Sequence, residues 1–567
     1  MTASRDFTAV RGDRAGGWLD QTRSEVVARN GVVATSQPLA AQAGLQILKH
    51  GGNAFDAAVA AAAVLNVVEP AGAGLGGDAF VLAWLARESK LVALNGSGRA
   101  PAGSTPEYLG KRGHAKEVPR RGIHSVSVPG AVDAWDALLR RAGTLTFQDV
   151  LEPAAALAEE GFGITQRICE DWSRDAEALR SDSDSAKVYL VEGEAPRLYS
   201  TFRNPELARA LRVLQAGGAE AFYRGEIARA IVAKSQALGG ALTLQDLAET
   251  QATWDTPLAT TYQGFEILEM PPNTQGLAAL EILNILEAYT ERSGVSLAEL
   301  GPRSSTFWHL LVEAKKLAYA DLYEFNADPA FAQIPLERLI SKAHARQLCA
   351  RIDLRKAATP ESRGDPVGGT VYIAAADRWG NMVSFIYSIY EGFGSGVTIP
   401  GYGFVLNNRG ALFSLDPRSP NLLAPRKRPF QTILPGFLMR DAQPVMAFGL
   451  MGGGQQAQGH AQVLVSMLDL GANPQAASDA ARFAHWQASN TLNLESALFG
   501  LVGAELRSLG HEVVAGNGLD MGGFQAVWFD PDNSPPAEQP PTARAQPVAG
   551  VYRAASDHRK DGCALGW

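Results

Sequence analysis

The spacing of apolar and polar positions changes character along the chain. In the first ordered stretch, VVATSQPLAAQAGLQILKHGG, Leu39, Ala43 and Ile47 recur on one face of a predicted helix. Pro38 sits in its first turn and Ser36 is the expected N-cap. Gly51 and Gly52 should end it in a left-handed terminus. A second helix follows, with Asp56 near its start and so much alanine that another element must pack closely on it. AGAGLGGDAFVLAWLA then reads as a glycine loop running into an apolar strand.

From about Thr144 to Pro366 the pattern is mostly helical, most clearly in FQDVLEPAAALAEEG and FWHLLVEAKKLAYADLYEF. The polar break SDSDS, Ser181 to Ser185, is expected to be a loop. From Thr370 onward the texture becomes short β-rich runs with turn signals, and one late helix is predicted around His460 to Leu468. PDNSPPAEQPPTARAQP should be an exposed proline-rich loop. No internal repeat is evident. Helices first, strands late and helices again imply sheets covered by helices.

Composition narrows the function classes. The 567 residues are 46% hydrophobic, ample for a large core, and 51 Lys plus Arg against 59 Asp plus Glu leave a net charge of -8. That balance argues against non-specific nucleic-acid binding, which needs a basic footprint. Cys169, Cys349 and Cys563 are dispersed and odd in number, with neither metal spacing nor a disulfide framework. The N-terminal stretch is charged and lacks the apolar core of a signal peptide, and the longest apolar run, Ala57 to Val68, is too short to span a bilayer. A cytoplasmic location is expected.

The sharpest chemical feature is GDPVGGTVYIAAADRWGNMVSFIYSIYEGFGSG. Thr370 opens a strand after Gly368 and Gly369, DRWGN turns the chain, and Met382 to Tyr390 return. A hairpin centred on Trp379 pairs residues equidistant from it, which puts Ser388 opposite Thr370 with Cβ atoms about 5 Å apart. A threonine hydroxyl needs a base beside it to act as nucleophile at neutral pH. Breaking the Gly369–Thr370 bond would create that base, the Thr370 α-amino group, whose ordinary pKa of about 7.7–8.0 is near the working pH. Glycines ahead of Thr370 allow the strained backbone that an N→O acyl shift requires. The same segment is also compatible with an ordinary Gly-Gly-Thr turn entering a hairpin.

A second feature is VMAFGLMGGGQQAQGHAQVLVSMLDLG, where an apolar strand meets Gly452, Gly453 and Gly454 ahead of a helix. Exposed backbone N–H groups there can hold an oxyanion. Phosphate binding is the rival use, but the Lys-Ser/Thr of a P-loop and the spaced glycines of a dinucleotide site are both missing. Asn407, Asn408 and Arg409 could line a pocket or close a turn, and Arg426, Lys427 and Arg428 read as a solvated or ion-paired face. No His-Glu-x-x-His pattern and no Gly-x-Ser-x-Gly elbow occurs.

Taken together these segments resemble the γ-glutamyltranspeptidase family of N-terminal-nucleophile hydrolases, from about Gly31 to the C-terminus. GGNAFDAAVA, GLGGDAF, the Gly-Gly-Thr at Thr370, FGSG, LNN, KRP, the GGG loop and SDHRKDG carry the resemblance, in order. It implies an α+β fold, a four-layer αββα sandwich. It also implies self-cleavage of a precursor into residues 1–369 and 370–567, the first 30 residues being an extension before a large subunit of 31–369. The two fragments would stay together as a heterodimer, with a dimer of such heterodimers also compatible. No cofactor or metal is implied, and neither nucleic acid nor membrane is an expected partner.

By the same resemblance, Thr370 is nucleophile and base, Ser388 its supporting hydroxyl, and Gly452 and Gly453 the oxyanion donors. The substrate-binding positions fall on Ser97, Arg99, Tyr390, Glu391, Asn408, Arg409, Leu412, Gln431 and Thr432. Several depart from the family pattern. Ser97 stands at a clamping arginine, and Arg99, two residues on, would share its face in a strand. Tyr390 stands for asparagine, Leu412 for the aspartate that grips an α-amino group, Arg409 for glutamine or glutamate, and Gln431 and Thr432 for paired serines. The resemblance therefore implies an amidohydrolase that passes a γ-glutamyl or related carboxy-acyl group to water or an amine. A glutathione hydrolase with a different clamp, a cephalosporin-acylase-like enzyme accepting glutaryl groups, and a silent binding protein of the same fold are the alternatives.

Overall fold

In the computed structural model, residues 21–360, 368–516, 518–532 and 547–567 are described. Two seven-stranded antiparallel sheets form the centre. The first runs, in spatial order, Val26–Ala28, Gly550–Ser556, Phe524–Pro531, Gln443–Leu450, Pro435–Arg440, Phe265–Glu269 and Leu258–Tyr262. The second runs Cys563–Gly566, Gly31–Thr35, Gly369–Asp377, Met382–Tyr390, Asp78–Leu85, Lys90–Gly96 and Thr253–Asp255.

Period-two alternation explains why the central strands read as unbroken apolar runs: both of their faces are buried. Val371, Ile373 and Ala375 face the helical layer of the second sheet, whereas Tyr372, Ala374 and Ala376 enter the core shared with the first sheet. Helices α1 (Pro38–Lys49) and α2 (Ala54–Val68) cover the second sheet. Every residue of α2 is buried, and alanine lets it lie close to both α1 and the Gly369–Asp377 strand. Helices Gly276–Ser293 and Gln455–Leu468 cover the first sheet, completing the four-layer αββα sandwich.

Several expectations need correction. Gln37 caps α1 by accepting from the Leu39 amide at 2.6 Å, while the Ser36 hydroxyl is drawn instead to the buried Glu69 carboxylate. Ser181 to Ser185 is only partly a loop, because Asp182 caps a helix that starts at Ser183. The late helix begins earlier, at Gln455, and Pro474–Asp479 and Ser496–Ser508 are further helices, whose mixed small-residue pattern hides them. Val26–Ala28 pairs with Gly550–Ser556, so the chain joins the fold before residue 31. Most of the proline-rich segment, 533–546, lies outside the described residues, as do residues 1–20. Among the described residues no helix is long and apolar enough to cross a membrane, and the three cysteines are free thiols.

Candidate active site

The predicted hairpin register holds. Val371 pairs with Tyr387, Tyr372 with Ile386 and Ala374 with Ser384, each pair equidistant from Trp379. The register shifts between Val371 and Gly369, which pairs with Tyr390, so Ser388 and Ile389 together face Thr370. This bulge brings Ser388 Oγ to 3.5 Å from Thr370 Oγ1. The glycine loop 71–77 closes over the pair. A Cβ on Gly77 would lie 2.4 Å from the Ser388 carbonyl oxygen, which makes glycine obligatory there.

The hydrogen bonds around Ser388 assign its proton. Its oxygen accepts from the Tyr390 amide at 2.8 Å and from Arg409 Nη2 at 2.8 Å. A hydroxyl has one proton and two lone pairs, so the proton goes to the remaining neighbour, the Gly369 carbonyl oxygen, 2.8 Å away. Thr370 Oγ1 lies 2.7 Å from that same oxygen. Behind Ser388, Arg409 is 0% exposed and its Nη1 donates to Thr432 Oγ1 at 2.9 Å. Arg409 Nε stands 3.9 Å from Asp78 Oδ2. Burial pulls the guanidinium down to about 10 and the Asp78 charge opposes that pull. Burial raises Asp78, opposed by Arg409, by the Gly98 amide and by Gln431. Carboxylate, guanidinium, hydroxyl and carbonyl thus line up into the Gly369–Thr370 peptide bond.

Thr370 opens onto a cleft of about 290 Å³ whose lining also includes Gly369, Gly452, Glu391, Trp172 and Trp486. Gly452 (φ +122°) and Gly453 (φ +61°) adopt left-handed backbone that favours glycine. Gly453 lies behind the lining, its carbonyl accepting from Gln275 Nε2 at 2.9 Å. Among the described residues neither Gly452 nor Gly453 N–H has an acceptor. Both remain available to a developing oxyanion.

The nine expected substrate-binding residues divide into three groups. Tyr390, Glu391 and Leu412 line a second cavity of about 750 Å³ that shares Glu391 and Arg120 with the first. Tyr390 holds φ +81°, an outlier for a bulky residue, and lays its ring over the Arg409 guanidinium at 4.8 Å. Asn408 braces this wall, accepting from the Glu391 amide at 3.1 Å and donating to the Arg120 carbonyl at 2.8 Å. Arg409, Ser97, Gln431 and Thr432 form a buried polar layer: Gln431 Nε2 bridges Asp78 at 3.0 Å and Ser97 Oγ at 2.9 Å. Direct substrate contact by Arg409 is therefore corrected to support of Ser388. Arg99 lines a separate cavity of about 330 Å³, which Ser97 also lines, and pairs with Asp328 at 3.4 Å. The strand ends at Gly96, so strand alternation does not set their directions, yet Ser97 and Arg99 do line the same cavity.

Other functional candidates escaped the sequence reading. Asp78 lies inside the quoted GLGGDAF segment, yet only its burial beside Arg409 marks it. Arg120 and Arg121 both reach Glu391, Arg120 Nε at 2.8 Å and Arg121 Nε at 3.6 Å. Glu69, Asp171, Asp175 and Lys560 complete a strongly charged wall. The basic triplet also divides: Arg426 is at the surface with Glu249, while Lys427 and Arg428 are buried, Arg428 Nε donating to the Ser97 carbonyl at 3.2 Å.

The Gamma-glutamyltranspeptidase family profile matches residues 40–567. The glutathione hydrolase-like YwrD proenzyme of Bacillus subtilis is 38% identical over 95% of this chain and 99% of its own. The oxamate amidohydrolase proenzyme of Klebsiella pneumoniae is 35% identical over 96% of this chain and 100% of its own. Among solved structures, the cephalosporin acylase from Bacillus halodurans superposes with a TM-score of 0.87 at 39% identity, covering 98% of this chain and 99% of its own.

Proposed function

The chain belongs to the γ-glutamyltranspeptidase family of hydrolases, and on that premise we propose that it cuts its own Gly369–Thr370 bond and then hydrolyses carboxy-acyl amides through Thr370. The observation that carries the first step is the Ser388 proton directed at the Gly369 carbonyl. Thr370 Oγ1 attacks the Gly369 carbonyl carbon and its own proton leaves to solvent. Charge gathers on the carbonyl oxygen, where Ser388, backed by Arg409, donates to it. The C–N bond then breaks as the Thr370 nitrogen takes a proton, leaving an ester on Oγ1. Water cleaves that ester, releasing a carboxylate at Gly369 and a free Thr370 amine.

In the mature enzyme the amine serves as base for Oγ1, which attacks the substrate amide carbon. Gly452 and Gly453 N–H groups hold the oxyanion, the leaving amine takes the proton, and water or an amine resolves the acyl-enzyme. Fragments 1–369 and 370–567 remain a heterodimer in this reading. Gly369–Asp377 lies between Gly31–Thr35 and Met382–Tyr390, and Pro435–Arg440 pairs with Phe265–Glu269, so each fragment supplies strands to both sheets.

For the acyl group we infer a carboxylate without an adjacent ammonium. Three of the five carboxylates on the cleft wall are held in ion pairs: Glu391 by Arg120 and Arg121, Asp171 by Arg167 and Arg174, Asp175 by Arg121 at 3.5 Å; Glu69 accepts from the Ser36 hydroxyl. Leu412 brings no charge. An ammonium entering here would meet carboxylates most of which already hold a cation, whereas an acyl carboxylate could share Arg120 or Arg121. A γ-glutamyl preference is the second reading, favoured by the glutathione hydrolase-like relative. The test compares kcat/KM for glutaryl- and γ-glutamyl-p-nitroanilide on the cleaved enzyme, with Arg120→Ala beside the parent. Glutaryl should equal or exceed γ-glutamyl and lose rate on Arg120→Ala. A tenfold advantage for γ-glutamyl, about 1.4 kcal/mol in transition-state binding, would overturn the acyl assignment.

A further inference from the structure

Outside the catalytic cleft, three helices converge on a compact donor set. Glu281 lies on Gly276–Ser293, Asp321 on Ser305–Phe325 and His344 on Lys342–Cys349. His344 Nε2 is 2.6 Å from Asp321 Oδ2 and 3.5 Å from Glu281 Oε1, and one ligand atom of each residue lies within 4.8 Å of the others. Glu281 is 1% exposed, and neither of its carboxylate oxygens meets an N–H or hydroxyl donor among the described residues; the group it faces is the Asp321 carboxyl. A buried carboxylate ordinarily has donors or a cation around it. Burial, then the Asp321 charge and a proton shared with the Asp321 carboxyl, holds Glu281 well above the usual carboxylate range, and the Arg338 guanidinium offsets this only in part.

The second compact cluster of the helical layer, His309, Glu313 and His511, differs on this point. Lys316 Nζ sits 2.8 Å from Glu313 Oε1, and His309 Nδ1 meets His511 Nε2 at 2.7 Å, so a cation and a shared proton already complete it. Glu281 faces an acid and an imidazole with no such ammonium on it.

We propose that Glu281, Asp321 and His344 form a binding site for a divalent transition-metal ion of the zinc type. Two carboxylate oxygens and one imidazole nitrogen are a donor set such ions accept, usually with water as the fourth ligand. Bonds of about 2.0–2.2 Å in a tetrahedron separate ligand atoms by about 3.3–3.6 Å, close to the 3.5 Å from His344 to Glu281 and within reach of a small opening of the 2.6 Å contact. The His344 and Asp321 side chains keep 10% and 15% exposure, which leaves an entry path. On binding, the metal would displace protons from the donor set to solvent, since its ligands bind in their deprotonated forms. The ion would clip helix Lys342–Cys349, the last helix before the Gly369–Thr370 bond, onto the two long helices beneath it.

The test uses the full-length protein, stripped with EDTA and dialysed. Zinc chloride titrated by calorimetry should bind one equivalent, release protons in buffers of differing ionisation enthalpy, and raise Tm. Glu281→Gln, which keeps the shape of the protonated acid, and His344→Ala should each weaken binding at least tenfold. Cobalt(II) bound to the parent should give the intense visible bands of a four-coordinate site, a readout that needs no variant. No binding by the parent, undiminished binding by Glu281→Gln, or equal affinity for magnesium would overturn the site.

Discussion

Removing the Ser388 hydroxyl is the most direct trial of the precursor geometry. Ser388→Ala deletes the donor that lies 2.8 Å from the Gly369 carbonyl oxygen. Loss of one preorganised oxyanion donor costs about 2.7–4 kcal/mol, so self-cleavage should slow by about 10²–10³-fold. The change also strands two donors, Arg409 Nη2 and the Tyr390 amide. Each buried group left unsatisfied costs about 1–3 kcal/mol of stability, so Tm should fall too. Ser388→Thr restores the hydroxyl and separates the two effects: cleavage should return to within about tenfold of the parent. The assay is the first-order conversion of freshly synthesised precursor to fragments 1–369 and 370–567, read by gel and intact mass, with a thermal melt on each variant. A folded Ser388→Ala precursor that matures within threefold of the parent rate would refute the proton assignment and the cleavage mechanism built on it.

Thr370→Ala should remain one full-length chain and be inactive, since nucleophile and base vanish together; N-terminal sequencing that finds a cut before residue 370 would contradict this. Gly452→Ala places a Cβ 3.1 Å from Gly522 Cα on backbone at φ +122°. It should lower kcat at least tenfold in correctly cleaved enzyme, and an unchanged kcat removes Gly452 from the oxyanion site. Burial pushes the Glu69 carboxyl up to about 7 from 4.5, opposed by Lys560 and the Ser36 hydroxyl. The folded state holds this proton more tightly than the unfolded one, so stability is fullest below pH 4.5 and falls, by about 3 kcal/mol, as pH rises towards 7. Glu69→Gln should flatten that fall in melts taken from pH 5 to 8, and an identical pH profile in the two proteins would show that Glu69 does not titrate there.

What was legible in the sequence follows the range of the interactions involved. The Thr370–Ser388 pairing is local. One turn at Trp379 sets a register, β-sheet geometry carries it eight residues in each direction, to Val371 and Tyr387, and a one-residue bulge then keeps Ser388 beside Thr370. Asn53 and Asp56 form a capping box over four residues, and Asp56 was readable for the same reason. Gly452 and Gly453 were found because a strand, a glycine run and a helix are consecutive in the chain. Features that depend on termination were less secure. Helix Ser496–Ser508 carries its apolar face as Leu498, Val502 and Leu506, but glycines at 500 and 503 blur the period.

The substrate positions depend on contacts between segments far apart in the chain, and there sequence alignment to a family pattern misleads in a definite way. Arg409 occupies a position that should touch substrate, yet an arginine there reaches past it to Ser388, 21 residues back, and to Thr432, 23 residues on. A guanidinium is longer and carries more donors than the amide or acid it replaces, so substitution turned a lining residue into an internal one. Tyr390 then stacks on it at 4.8 Å while lining the second cavity, and Arg409 itself lines neither cavity. Its guanidinium is committed to the Ser388 hydroxyl, which in turn donates to the Gly369 carbonyl. Any acyl carboxylate must be met from another part of the chain, and Arg120 and Arg121 line the cleft from a loop more than 240 residues before Thr370. No spacing rule connects those positions. Only the folded wall, where Asn408 fixes the backbone of both Arg120 and Glu391, brings them to the nucleophile.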